Sequence, residues 1–146
     1  MEKCIKMAAL YIASLKAMAL IHTHNHWVIK GNDFYGDHLL FERIYKSALE
    51  DLDLAAEKCV GLFGAECLNY DLQTTLLNKV LSKYKILSDS PQKMSLAVEK
   101  DFIKLSSDVY NCFDDEGKLS LGLDDLLMSI ASNRETSVYL LQQTLK

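Results

Sequence analysis

Apolar residues recur at helical spacing from about Glu2 to Lys30, and the pattern stops at Gly31-Asn32. Positions three and four apart share one side of a helix, and a glycine-asparagine pair is a helix stop. Asn32 or Asp33 then supplies a cap for a second helix through FYGDHLLFERIYKSALEDLDLAAEKCVGLF, which fades at Gly61 and Gly64. Only a few residues connect the two, so they are expected to pack as an antiparallel hairpin. A shorter helical segment follows near TTLLNKVLSKY, and Ser90-Pro91 reads as a cap with proline at the first helical position. That cap opens a third long helix to about Phe113; DDEGKLSLG is a loop, and Leu123 to Leu145 forms the fourth long helix. Internal repeats, low-complexity tracts and linkers are absent from the sequence. The pattern predicts one all-α domain over residues 1–146, a four-helix bundle with a short extra helix between the second and third long ones.

Composition agrees with that outline. A chain of 146 residues with 49% hydrophobic content can bury a substantial core. One proline and six glycines are too few for an all-β chain of many short strands. Lys3 and Lys6 precede the apolar run MAALYIASL, as in an export signal, but Lys16 interrupts the run and His22 follows soon after. The stretch is expected to be too short and too charged to span a bilayer, and to be an amphipathic helix of the mature protein. A cytoplasmic location is the corresponding expectation. Cys4, Cys59, Cys67 and Cys112 lack CxxC or zinc-finger spacing and are expected to be free, partly buried thiols. A net charge of −4 argues against a general nucleic-acid binder.

All four histidines fall within HTHNHWVIKGNDFYGDHLLFE, residues 22–42. His26 lies about five residues before the Gly31 turn and His38 about five after Asp33, so a hairpin brings them to similar height. Along the second helix His38, Glu42, Asp53 and Glu57 share one broad face, because the 15 steps from His38 to Asp53 leave a net rotation of only about 60°. Imidazole nitrogen with carboxylate oxygen suits iron, manganese or zinc, and two histidines plus carboxylate with open positions suit iron that must meet an oxidant. At about 1.5 Å per residue, however, His38 and Asp53 stand roughly 22 Å apart along the helix. Metal–ligand bonds are near 2 Å, so one chain cannot bring both groups to one ion. The Glu-x-x-His pairs of single-chain di-iron bundles are missing. An antiparallel two-fold dimer resolves the difficulty, since the histidine end of one second helix then meets the carboxylate end of its mate. Ser–His–Asp or Cys–His nucleophile spacing and glycine-rich phosphate loops are also missing.

The run HNHWVIKGNDFYGDHLLFERIY, followed by DLDLAAEKCVGLFG, resembles the Dps proteins, the mini-ferritins of starved or oxidatively stressed cells. His26-Trp27, Lys30-Gly31, Phe34-Tyr35, His38 and Asp53-x-x-x-Glu57 match that family's pattern in order and spacing, strongly over residues 20–64 and more weakly over the last helix. Glu42 departs from it, standing where the family usually has aspartate.

The resemblance implies a ferritin-like bundle assembled into a hollow dodecamer, a ferroxidase that oxidises Fe(II), preferentially with hydrogen peroxide rather than dioxygen, and stores ferric mineral. Zinc or manganese could occupy the same site. His26, His38 and Glu42 would come from one subunit and Asp53 and Glu57 from its two-fold partner. Trp27 would sit beside the iron and intercept oxidising equivalents, although a plain core role competes equally. Glu42 and Glu57 taken singly also read as solvated helix residues. His22, one turn behind His26, is near the site but better explained by packing, and His24 points to another face. Asp114, Asp115, Glu116, Asp124 and Asp125 would line an iron-entry pore by electrostatic focusing, or simply be solvated and capping residues. Many Dps proteins bind DNA through a lysine-rich tail; the helix starting almost at Met1 and the ending LQQTLK leave no such tail expected, so DNA binding is not expected either. Competing functions are a cage that sequesters metal or protects DNA with little turnover, and a helical interaction module with a vestigial metal face.

Overall fold

Capping side chains decide where most of the helices begin. The computed structural model describes residues 2–84 and 89–146. In it the Glu2 carboxylate accepts from the Cys4 and Ile5 amides at 2.9 and 3.2 Å and starts α1, Lys3–Val28. Ser90 Oγ accepts from the Lys93 amide at 3.2 Å, with Pro91 behind it, and starts α4, Pro91–Asp115. Ser120 accepts from the Leu123 amide at 3.1 Å and starts α5, Leu121–Thr144. These contacts fill the orphan donors of a helix N-terminus. The second helix, α2, Phe34–Phe63, is different: Asp33 stands at its N-cap but makes no side-chain cap bond. Its first turn is tied down instead by Gln92 Nε2, which donates to Asp37 Oδ2 at 3.1 Å. The positive φ of Gly31, 114°, makes the hairpin turn, and Gly64 at φ 89° ends α2 before a 3-10 turn (Ala65–Leu68) and a short α3, Tyr70–Leu81.

The four long helices form a ring in which α1 touches α2 and α4, and α5 touches α2 and α4, leaving α1 and α5 diagonal. Helix α3 and the 3-10 turn cover the remaining flank of α1. That explains why α1 is apolar nearly all round rather than along one stripe. Length and composition alone would let α1 cross a bilayer, which corrects the expectation that it is too short and too charged; 67% of its most apolar stretch is buried by the other helices. Alanines 8, 9, 13, 17 and 19 are buried along α1, while Tyr11, Ile12, Leu15 and Met18 share one core cluster with Phe102, Leu123 and Ile130. A second small cluster of Ile29, Phe41, Ile44 and Leu141 lies at the α1–α2 hairpin end. Each such side chain stabilises the fold by about 1.5–3 kcal/mol when fully buried, so the histidine corner stands on a rigid floor.

The four cysteines are free and all are buried. Burial pushes the Cys59 thiol up to about 12 and the Cys4 thiol up to about 11, and raises Cys67 as well. The thiolate is the reactive form, so Cys4, Cys59 and Cys67 are guarded by both access and protonation, and Cys112 by burial. At neutral pH a disulfide reagent such as DTNB should leave the native protein unmodified on the timescale in which the denaturant-unfolded chain reacts completely. Prompt reaction of one native thiol would contradict this.

Candidate metal centre

His26 lies in the last turn of α1 and His38 in the second turn of α2, on either side of the hairpin. The fold stacks their rings, with centroids 3.7 Å apart and planes at 18°. Each ring also holds the other's backbone: His26 Nδ1 donates to the His38 carbonyl at 2.7 Å, and His38 Nδ1 donates to the His26 carbonyl at 2.8 Å. A carbonyl oxygen can only accept, so both Nδ1 atoms must carry the proton. In the neutral ring that leaves the lone pair on Nε2, the orientation in which a second contact fixes the tautomer of a metal-ligating histidine. The His26 carbonyl sits in the final turn of α1, where intrahelical donors run out, so His38 also acts as a C-terminal cap. Phe34 stacks on His38 at 5.0 Å, and Tyr45 meets His26 edge-on at 5.4 Å. Four rings thus brace two nitrogens. The His-x-x-x-x spacing predicted proximity; the reciprocal bonds and the bracing by Tyr45 and Phe34 left no sequence signal.

The carboxylates lie elsewhere on α2. Glu42 is half-buried one turn beyond His38 and pairs with Lys46 Nζ at 3.2 Å. Asp53 and Glu57 are exposed on later turns. Glu57 borders a surface groove of about 720 Å³ with Leu54, Lys58, Leu62 and Asp125. Among the described residues of one chain, no three His, Cys, Asp or Glu side chains come together as a metal-binding group.

The remaining candidates separate clearly. Trp27 is 66% exposed and stacks on His24 at 5.6 Å, so a core role is ruled out. His22 is fully buried, with Nδ1 against Ser95 Oγ at 2.8 Å and Nε2 against Glu99 Oε1 at 3.0 Å. Both its nitrogens are committed inside the bundle, which removes it from the surface site. The five acids flank the α4–α5 junction along the chain, and the helix runs further than expected: Asp114 and Asp115 form the last turn of α4 rather than a loop. Carboxylates there oppose the helix dipole, whereas Asp124 in the first turn of α5 is favoured by it. Glu116 follows as the C-cap and pairs with Lys3 at 3.7 Å.

A polar cluster unforeseen in the sequence occupies the bundle interior. Arg134 of α5 is fully buried, with Nε 3.2 Å from Glu99 Oε2 and an NH1 nitrogen 3.5 Å from Asp51 Oδ2. Its other terminal nitrogen donates to Ser47 Oγ at 2.8 Å and Ser137 Oγ at 3.1 Å. Burial raises the Asp51 carboxyl above its ordinary value, and the Asn133 amide at 2.9 Å and Arg134 act against that. The available signal was positional: Arg134 falls in the buried stripe Leu123, Leu127, Ile130, Arg134, Ser137, Leu141.

No known family model matches the chain. General stress protein 20U of Bacillus subtilis is 27% identical over 147 residues, covering 97% of this chain and 96% of that protein. The Dps of Thermosynechococcus elongatus superposes with a TM-score of 0.83 at 18% identity, over 99% of this chain and 91% of that one. The DPS protein of Vibrio cholerae O1, described as a member of a broad superfamily of ferritin-like diiron-carboxylate proteins, superposes with a TM-score of 0.73 at 19% identity, over 99% and 89%. The fold is the ferritin-like four-helix bundle of the Dps proteins.

Proposed function

We propose that this chain, built on the Dps fold, is one subunit of a mini-ferritin cage that takes up Fe(II), oxidises it and stores the ferric product in the cytoplasm. The observation that carries the proposal is the His26–His38 pair, whose Nδ1 atoms are both spent on backbone carbonyls. Two Nε2 lone pairs then offer a preformed seat for a borderline cation, with Glu42 one turn away as a carboxylate arm once it exchanges Lys46 for the metal. Asp53 and Glu57 of a two-fold partner complete the set, because the length of α2 puts them out of reach within a chain. Iron is the substrate. Two Fe(II) ions give up one electron each to a peroxide, the O–O bond breaks, and protons from solvent convert the oxygens to water. Dioxygen is the alternative oxidant, and zinc or manganese the competing occupants. A single ferritin-like unit, residues 1–146, would assemble as a dodecamer, and the acids Asp114, Asp115, Glu116, Asp124 and Asp125 would concentrate cations at an entry pore.

Light scattering should give a particle of dodecameric mass, and anaerobic Fe(II) treated with hydrogen peroxide should develop ferric absorbance. The His26→Ala, His38→Ala double variant should lose more than about tenfold in initial rate while keeping its assembly. A wild-type cage that binds Fe(II) without oxidising it would favour simple sequestration instead, and a monomer without iron uptake would leave only the interaction module.

With a net charge of −4 and an isoelectric point near 5.5, the protein should not retard plasmid DNA in a gel at neutral pH and physiological salt. Retardation that weakens steeply with added salt would reveal a basic patch.

A further inference from the structure

The interior cluster takes one charged or ionisable group from each long helix: His22 from α1, Asp51 from α2, Glu99 from α4 and Arg134 from α5. All four are at most 2% exposed. In di-iron carboxylate bundles, facing helices present carboxylates and histidines inward around a metal pair in the bundle core. Here two carboxylates and an imidazole face inward, but a guanidinium stands among them. It touches both carboxylates, and its remaining nitrogen reaches Ser47 and Ser137. Met18 Sδ at 3.4 Å closes one side.

We infer that Arg134 is the resident cation of this bundle, neutralising Asp51 and Glu99 in the position where two buried carboxylates would otherwise draw in a bound cation, and so keeping iron out of the core. Arginine suits this role better than lysine, because its guanidinium stays protonated at any physiological pH and reaches several acceptors at once. It is also covalently held, so chelators and acid cannot remove it as they remove a metal. The two carboxylates need a positive partner, since isolated buried charges are strongly unfavourable. Arg134 supplies that charge without offering a lone pair, an open coordination position or redox chemistry. It therefore acts as a specificity-determining residue that leaves iron chemistry to the protein's periphery.

The inference is independent of the surface histidines, so the test removes them. In chains carrying His26→Ala and His38→Ala, the further change Arg134→Ala should create a site that takes up about one extra Co(II) per chain, visible by its d–d absorption. Adding Glu99→Gln should abolish that uptake, and Arg134→Lys, which keeps a positive charge, should never show it. The thermal midpoint of the Arg134→Ala chain should rise with Co(II), and millimolar guanidinium should compete for the same space. If the variant does not fold unaided, refolding it with Co(II) should recover helical signal. An Arg134→Ala chain that neither gains Co(II) nor is stabilised by it, folded or refolded, overturns the inference. So does a chain with Arg134 intact that holds Co(II) in a Glu99-dependent way.

Discussion

Chains carrying His26→Ala and His38→Ala, reassembled with chains carrying Asp53→Ala and Glu57→Ala, should regain part of the iron oxidation that each lacks alone. Each variant by itself has only half-sites under the proposed geometry. In a mixed two-fold pair, the histidines of the second variant face the carboxylates of the first, so one site is whole and the other loses all four ligands. Random pairing makes half the dimers mixed with one good site each, so about a quarter of the wild-type sites should return. A site contained within one chain predicts no recovery, because every chain in the mixture is defective. Native mass spectrometry can establish that mixed pairs form; if they do and activity stays absent, the shared site is wrong. The helix makes the demand severe: His38 and Asp53 are about 22 Å apart on one continuous α2, and no side chain closes that gap.

Glu99→Ala should be among the most damaging single substitutions, costing about 3–5 kcal/mol of unfolding free energy. Its carboxylate meets His22 Nε2 at 3.0 Å and Arg134 Nε at 3.2 Å with no exposure to solvent. Truncation leaves the guanidinium with Asp51 as its only ionic partner, 3.5 Å away, and leaves one imidazole nitrogen without a partner. Glu99→Gln keeps the shape and an acceptor for His22 and should lose less. Replacing His22, Asp51, Glu99 and Arg134 together with apolar residues of similar size should also cost less than Glu99→Ala alone, because no buried charge remains unmatched. Denaturant unfolding at one protein concentration measures all three, since assembly shifts apparent stability. A Glu99→Ala chain within about 0.5 kcal/mol of wild type, as for an ordinary surface change, would show that the core cluster contributes nothing.

Local chemistry made much of this molecule legible. The stop at Gly31-Asn32, the Ser90-Pro91 cap and the 3.6-residue apolar period predicted the hairpin and four long helices, because each depends on residues within one or two turns of one another. The proximity of His26 and His38 followed from the same arithmetic, being 12 residues apart across one tight turn. Where the cues were longer in range, the sequence fell short. It could not show that α1 would be covered on three sides, since apolarity all round fits a core helix and a membrane helix equally. Arg134, Glu99 and Asp51 each sit in an apolar stripe, so their burial was readable, but their partners were not. Those contacts join residues far apart in the chain, 77 for His22 with Glu99 and 87 for Arg134 with Ser47. Helical period tells which side of a helix is buried; only the packing of the four helices decides which buried charge meets which, and whether the cation among the carboxylates is a metal or an arginine.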